Sequence, residues 1–443
     1  MFPILQAEGI GLPGWVALIA VTHVFVAHFA VGGGWYLVMT EHWGRKKRLP
    51  GVIAHAERHS RFFAMLTLVF GALSGVGIWF VIGLAAPDST FLLIRTFVWG
   101  WATEWCFFLI ELTAAMVYYR TWRRIDPKTH ELIGWVYAGA SIITLLVING
   151  ILSFMLTPGS WTEDKSFWSG MFNPTYWPTN FLRIAVAAAI AGMFGLLTAG
   201  REPGEETRRL LIARSARWVV AGILVAIPCY LWTRSALPAE ATHLLERSLE
   251  GAKGSVPMLG SMWKHGGIAF ALLLVGCGVI AAIKPSRMPR TAAIGILLVG
   301  LFAFGTAEYA REVLRKPYSI RGVMYANGIR PEEVEQYRQE GFLQHAESPE
   351  WFAAASDEQI GETMYRRQCS VCHTIDGYRG LRSRLAGKGS EGIGVLFADL
   401  MKRPGQAMIW EAMPPVAGNE REVRALKQWL MQFADRGEAA AAR

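Results

Sequence analysis

The chain has 443 residues and a mass of 49.1 kDa; 52% of its residues are hydrophobic, 18% are charged, and the mean hydropathy is +0.27. Soluble domains carry about 25% charge, so this balance excludes a water-soluble globular enzyme and a nucleic-acid binder. The formal net charge of +9 comes from Lys and Arg set between apolar runs, a distribution that orients a protein in a membrane rather than one that binds polyanions.

A helix needs roughly 20 apolar residues to cross a bilayer. Eight runs qualify, at about 13–40, 61–85, 90–119, 132–157, 179–200, 216–233, 264–283 and 290–312. The first is too long, too rich in aromatics and His, and too poor in leading basic residues for a cleaved signal peptide. Alternate loops are basic: Arg45, Lys46, Lys47, Arg48 and Arg58 in the first, Arg120, Arg123, Arg124 and Lys128 in the third, Arg201, Arg208, Arg209 and Arg214 in the fifth, Lys284, Arg287 and Arg290 in the seventh. The loops between them have no basic residue (86–89), Lys165 alone (158–178), or bases balanced by Glu240, Glu246 and Glu250 (234–263). The positive-inside rule then places the basic loops in the cytoplasm. The expected fold is all-α: a polytopic transmembrane bundle of about eight spans with both termini periplasmic, in a bacterial inner membrane, followed by a small α-helical domain. The expected boundaries are 1–315 for the bundle, 316–355 for a charged surface connector, 356–435 for the soluble domain and 436–443 for a disordered tail.

Buried titratable groups are costly in a bilayer and mark function. With a 1.5 Å rise per residue, His23 lies roughly 15 Å below the outer surface and His28 some 7 Å deeper. Five positions apart, they point about 140° away from each other on a helix, so they cannot share one haem. His23 reads as an iron ligand or as a hydrogen-bonded core histidine; His28 is equally open. Glu104 and Glu111 are seven residues apart and share a helix face, as a haem neighbour or a proton relay would require. Glu308 and Glu312 sit a turn apart near the outer end of the last span. Arg95, Arg183 and Arg315 lie near the same side, where a guanidinium pairs with a haem propionate or snorkels to headgroups. His265 opens the seventh span as an axial ligand or an ordinary interfacial residue. His42, His55, His59, His130 and His243 receive no role. Cys106, Cys229 and Cys277 fall inside apolar runs and read as small buried hydrophobes.

The tail carries Cys369-Ser370-Val371-Cys372-His373, the C-x-x-C-H pattern of covalent c-type haem. Two thiols three positions apart on one turn reach two vinyl groups, and the adjacent imidazole reaches the iron. A zinc site would need two more soft ligands that the tail lacks. Met413, in Ala412-Met413-Pro414-Pro415, is the expected sixth ligand, with Met401, Met408 and His345 as competitors and an ordinary packed methionine as the bland alternative. A helix at about 356–368, a Met-Pro loop and a closing helix at about 419–433 together resemble small class I cytochromes c.

The membrane part resembles subunit I of the cytochrome bd quinol oxidase superfamily. The resemblance rests on Thr22-His23-Val24-Phe25-Val26 followed by Gly32-Gly33-Gly34; on Glu104 and Glu111; on Ile148-Asn149-Gly150 with Phe154-Met155-Leu156-Thr157-Pro158-Gly159; and on Glu312-Val313-Leu314-Arg315-Lys316-Pro317-Tyr318. It covers roughly residues 10–325. It implies that His23 ligates a haem iron, that Glu312 is an iron ligand or close neighbour, that Arg315 serves a propionate, and that Glu104 and Glu111 lie near the active haems. The implied cofactors are one to three haems b, with haem d as an alternative, beside one covalent haem c. The implied partners are quinol or quinone, a second membrane subunit, a periplasmic cytochrome or other redox subunit, and membrane lipid, with no nucleic acid. Two departures matter. Phe181-Leu182-Arg183 stands where the family has the low-spin haem ligand, which leaves His265 as a substitute, and the outer loop 234–263 is short. Two functions follow: a relay passing electrons between membrane haems b and the c-haem, or a terminal oxidase reducing O2 at a haem on His23, with Glu104 and Glu111 serving catalysis. A sensor or assembly scaffold is a third reading, for which nothing in the tail speaks.

Overall fold

The computed structural model describes residues 7–249, 257–402 and 412–441. Seven of its helices are long and apolar enough to cross a membrane: α1 (Gly11–Lys46), α2 (Pro50–Ala85), α5 (Pro127–Phe154), α6 (Tyr176–Ala199), α7 (Glu205–Ser235), α9 (Pro257–Ile283) and α10 (Arg290–Leu314). The expected third span is divided. Pro87–Thr96 forms a short α3, the chain breaks at Phe97, and α4 (Val98–Arg120) continues as 23 residues carrying both Glu104 and Glu111. A short α8 (Ala239–Leu249) covers the end opposite the basic loops. The bundle is thus all-helical and polytopic.

Several helices run past the apolar windows, because polar residues can continue a helix wherever the flanking chain satisfies them. α1 extends to Lys46 and so buries Glu41 completely. Pro50 starts α2 at a position where its missing N–H costs nothing, eleven residues before the expected boundary.

Close helix contact depends on glycine. A Cβ on Gly32 of α1 would collide with the carbonyl of Ala187 in α6, and one on Gly222 of α7 would press on the backbone of Ala185 and Ala189. Small residues let backbones approach where lipid offers no hydrophobic drive between helices. At the centre, Phe25, Phe29, Phe63, Phe194 and Phe304 form one aromatic core, with Phe29 and Phe194 rings 4.1 Å apart. Outward faces stay apolar, with Leu73, Phe80 and Leu272 all exposed. Cys277 is fully buried, but Cys106 is exposed on α4; a lipid-facing position holds a small apolar side chain as well as a core position does.

Beyond α10, a two-stranded hairpin, β1 (Tyr318–Ile320) and β2 (Met324–Tyr325), precedes the helical tail: α11 (Glu333–Glu340), α12 (Asp357–Met364), α13 (Gly389–Leu400) and α14 (Glu420–Ala441). α12 begins with a capping box between Ser356 and Gln359 and continues as a wider turn through Cys369. The stretch expected to be a surface connector contributes Tyr325, Ile329, Val334, Tyr337, Phe342 and Leu343 to the same core as Met364, Tyr365 and Trp429. Glu422 at the start of α14 ties the two parts together, accepting from the backbone N–H groups of Phe342 (2.8 Å) and Leu343 (2.7 Å). The backbone of α14 stays helical to Ala441, past residue 435, where the sequence suggests a disordered end; Glu-Ala-Ala-Ala is good helix-forming sequence.

Candidate functional site

In the tail, Cys369 and Cys372 are free thiols on the turn that closes α12. His373 Nδ1 lies 2.9 Å from the carbonyl of Arg379, and the His373 carbonyl accepts from the Tyr365 hydroxyl at 3.0 Å. A ring whose Nδ1–H donates to a carbonyl presents Nε2 as the ligand, the orientation metal-binding histidines use. Burial, reinforced by the charges of Arg384 and Arg379, pulls His373 down to about 4 despite the opposing carbonyl bond, so the imidazole is neutral and competent to ligate. Burial and the neighbouring Cys372 push the Cys369 thiol up to about 12. This donor set fits a covalently attached haem.

The Met413 segment is anchored beside that turn. Gln368, the residue before Cys369, brackets Ala417 with its side-chain amide: Nε2 donates to the Ala417 carbonyl, and Oε1 accepts from the Ala417 N–H at 3.0 Å. Met413 is half-buried four residues upstream. Of its competitors, His345 pairs with Glu340 at 2.9 Å on the surface, Met401 packs at the core edge, and Met408 lies outside the described residues.

The loop after the C-x-x-C-H turn rests on the bundle, at the end opposite the basic loops. Tyr378 donates its N–H to the carbonyl of Gly9 at 2.7 Å, the methyl group of Thr374 lies over Gly11, and Arg379 and Tyr378 interact with Tyr309 of α10. The hairpin docks at the same end: Ser89 donates to Ser319 at 2.6 Å, and Arg321 N–H donates to the Met155 carbonyl at 2.9 Å.

Within the bundle, His23 Nδ1 meets Ser74 Oγ at 3.0 Å, while Ser74 donates to the Phe70 carbonyl at 2.7 Å. Ser74 therefore accepts from His23, and Nε2 of His23 is left as the ligating nitrogen. This fits an axial haem ligand. His28 is engaged at both nitrogens, Nδ1 with the Val24 carbonyl (2.7 Å) and Nε2 with Arg183 (3.4 Å). Arg183 also donates to Asn149 (2.8 Å) and Glu308 (3.1 Å), and Arg311 donates to Glu308 at 2.9 Å. Arg183 is thus the hub of a buried polar cluster joining α1, α5, α6 and α10. Glu312 pairs with Arg315 and, at 3.1 Å, with Lys316. Arg315 reaches on to the Ser319 carbonyl at 3.0 Å and keeps a buried Nε without an acceptor. Glu111 is buried beside Thr144 with an unpartnered Oε1, and Glu104 is half-buried on the same helix. His265 is exposed and bonds back to the Ser261 carbonyl at 2.8 Å; among the described residues no hydrogen bond or ring contact joins it to His23 or His28.

Sequence reasoning passed over a second set of groups at the basic end. Glu41 accepts from His130 Nδ1 (2.9 Å), Tyr118 (2.6 Å) and Arg45 (2.8 Å), all within the bundle. Glu202 accepts from His55 at 2.8 Å and pairs with Arg58. The signal was weak, because each histidine lies near the end of an apolar run and each carboxylate lies beyond one.

Residues 15–234 match the family described as cytochrome bd terminal oxidase subunit I. Among solved structures, the fold is similar to that of the bd oxidase from Geobacillus thermodenitrificans, with a TM-score of 0.62 and 16% identity, over 71% of this chain and 90% of that one. No curated protein matches the sequence. The chain is therefore a multi-pass membrane protein with a bd oxidase-like fold and a helical tail.

Proposed function

We propose that the chain is a membrane haem electron-transfer subunit, passing electrons between b-type haems in the bundle, on the quinol side, and one c-type haem in a periplasmic tail. Bound haem would supply one-electron redox chemistry at both places. The chain's own residues position and insulate: His373 and Met413 offer axial donors, Cys369 and Cys372 offer attachment points, and His23 offers a bundle ligand held by Ser74. The carrying observation is the docking of the 374–380 loop on the bundle, through Tyr378 to Gly9 at 2.7 Å and Arg379 beside Tyr309. It joins the C-x-x-C-H turn to α10, one residue from Glu308 and the His28 and Arg183 cluster. The basic loops at the opposite end support a periplasmic location for that docked end, and the resemblance to bd oxidases supports quinol as a partner and a second membrane subunit in an inner-membrane respiratory assembly.

A second reading, a terminal oxidase fed through the tail, is favoured by one observation: the unpartnered, buried Oε1 of Glu111, since a buried carboxylate with an oxygen left unpartnered is a group able to carry a proton inward. Reduced-minus-oxidised spectra with and without CO separate the two. A relay gives c and b bands with no CO response; a CO shift in a b or d band means an open iron position and the oxidase. Absence of any c band sinks both readings of the tail.

A further inference from the structure

A groove of about 870 Å³ lies between α6 and α7 and opens at the basic end of the bundle beside α1. Its mouth carries four cations, Arg209, Arg214, Arg217 and Lys284, against one carboxylate, Glu206. Among the described residues none of the four cations stands in an ion pair. Arg214 is held over the Trp43 ring at 4.8 Å and donates to the Met39 carbonyl at 3.2 Å, while its Nε is buried without an acceptor. Away from the mouth the groove is an apolar channel lined by Ile184, Ala188, Trp218, Ala221 and Val225. Its floor is the close contact at Gly222, where the backbones of α6 and α7 meet. From Arg214 to Val225 is eleven residues, about 16 Å along a helix, which is half of a hydrocarbon core about 30 Å thick. A cationic mouth on a one-leaflet apolar channel is complementary to a molecule with an anionic head and an acyl tail.

We propose that this groove binds an anionic phospholipid of the leaflet at the basic end, its phosphate among Arg209, Arg214, Arg217 and Lys284 and one acyl chain lying along Ala188, Ala221 and Val225. Snorkelling to bulk headgroups would orient these cations, but it calls for neither the channel nor a guanidinium fixed over an indole. The charge contribution and the chain contribution separate by substitution.

The test is native mass spectrometry of the full chain in detergent, after equilibration with phosphatidylglycerol or with phosphatidylcholine. The wild type should retain phosphatidylglycerol as a one-to-one adduct and release phosphatidylcholine. Arg214→Gln with Arg217→Gln should lower retention by about fivefold for each charge removed. Ala221→Trp, at an exposed position that leaves every cation in place, should lower it by filling the channel. Equal retention of both lipids, or phosphatidylglycerol retention unchanged in both variants, overturns the proposal. So does a protein subunit that cross-links at position 221 and leaves phosphatidylglycerol binding unchanged by the substitutions, since the groove then belongs to that subunit.

Discussion

Tyr378 and Gly9 are 369 positions apart in sequence, yet the Tyr378 N–H donates to the Gly9 carbonyl at 2.7 Å. The bond joins the segment leading into the first membrane helix to the loop that follows the two cysteines and His373. That loop is held from within as well: His373 bonds the Arg379 carbonyl, and Thr374 donates its hydroxyl to the Tyr378 carbonyl at 2.9 Å. A displacement of the loop against the bundle would therefore be felt at the imidazole.

Gly377 lies inside this contact, where an added Cβ would fall on the Gly9 carbonyl oxygen. Gly377→Val is expected to force the loop off the N-terminal segment, at a cost of about 1–3 kcal/mol for overpacking. On the proposed function, thermal unfolding followed by the c-haem band should show the loss while the haem stays attached, and electron exchange with the bundle haems should slow. A variant with wild-type stability and exchange rate would show that the contact positions nothing.

Met413 and Gln368 are separable. Met413→Ala should keep the haem, because both cysteines remain, and lower its potential, because a thioether ligand raises it; redox titration reads the shift, and an unchanged potential removes Met413 as the ligand. Gln368→Ala removes the bracket on Ala417 and leaves a buried N–H and carbonyl unpaired, which costs about 1–3 kcal/mol each way the pair is broken. It should destabilise the tail and broaden the titration without removing the sulfur ligand.

The sequence announced the spans because apolar length is set by bilayer thickness, and it announced the C-x-x-C-H turn because its three donors fall within five consecutive residues. The break at Phe97 was not legible, since nothing in the apolar run around it distinguishes a kink from a continuous span. Glu41, His130 and Tyr118 were missed for a related reason: they meet across 89 residues of sequence, and each alone looks like an interfacial residue. Arg183 reads from its depth as a propionate partner or a snorkelling residue; that Asn149, His28 and Glu308 all converge on it is a tertiary fact. The groove at Arg214 was likewise invisible, because its cations belong to the same charge pattern that fixes orientation.

His23 and Ser74 give a paired test in the membrane part. His23→Ala should abolish one b-type signal in reduced-minus-oxidised spectra. Ser74→Ala leaves the ligand but frees its ring, and loss of such a supporting bond typically weakens metal-site affinity by about 10–100-fold. The expected result is a b signal that persists with a shifted potential and is lost more readily on detergent washing. An unchanged spectrum in His23→Ala would assign that signal to another residue.

Glu202, in the loop between α6 and α7, gives a prediction in pH. Burial alone would raise its carboxyl, but hydrogen bonds from His55 and Arg58 and their charges outweigh that and hold it below the ordinary glutamate value. The folded state therefore binds fewer protons at Glu202 than the unfolded chain does. Its stabilisation is complete above the unfolded value of about 4.3 and is lost as the pH falls through the lowered folded value. Glu202→Gln should thus be less stable than wild type at neutral pH, with the difference shrinking in acid as wild-type Glu202 becomes protonated. Thermal melts of both proteins in detergent across that range check it. Parallel curves with a constant gap would mean that the loss comes from packing, and that His55 and Arg58 do not hold the carboxylate in its charged form.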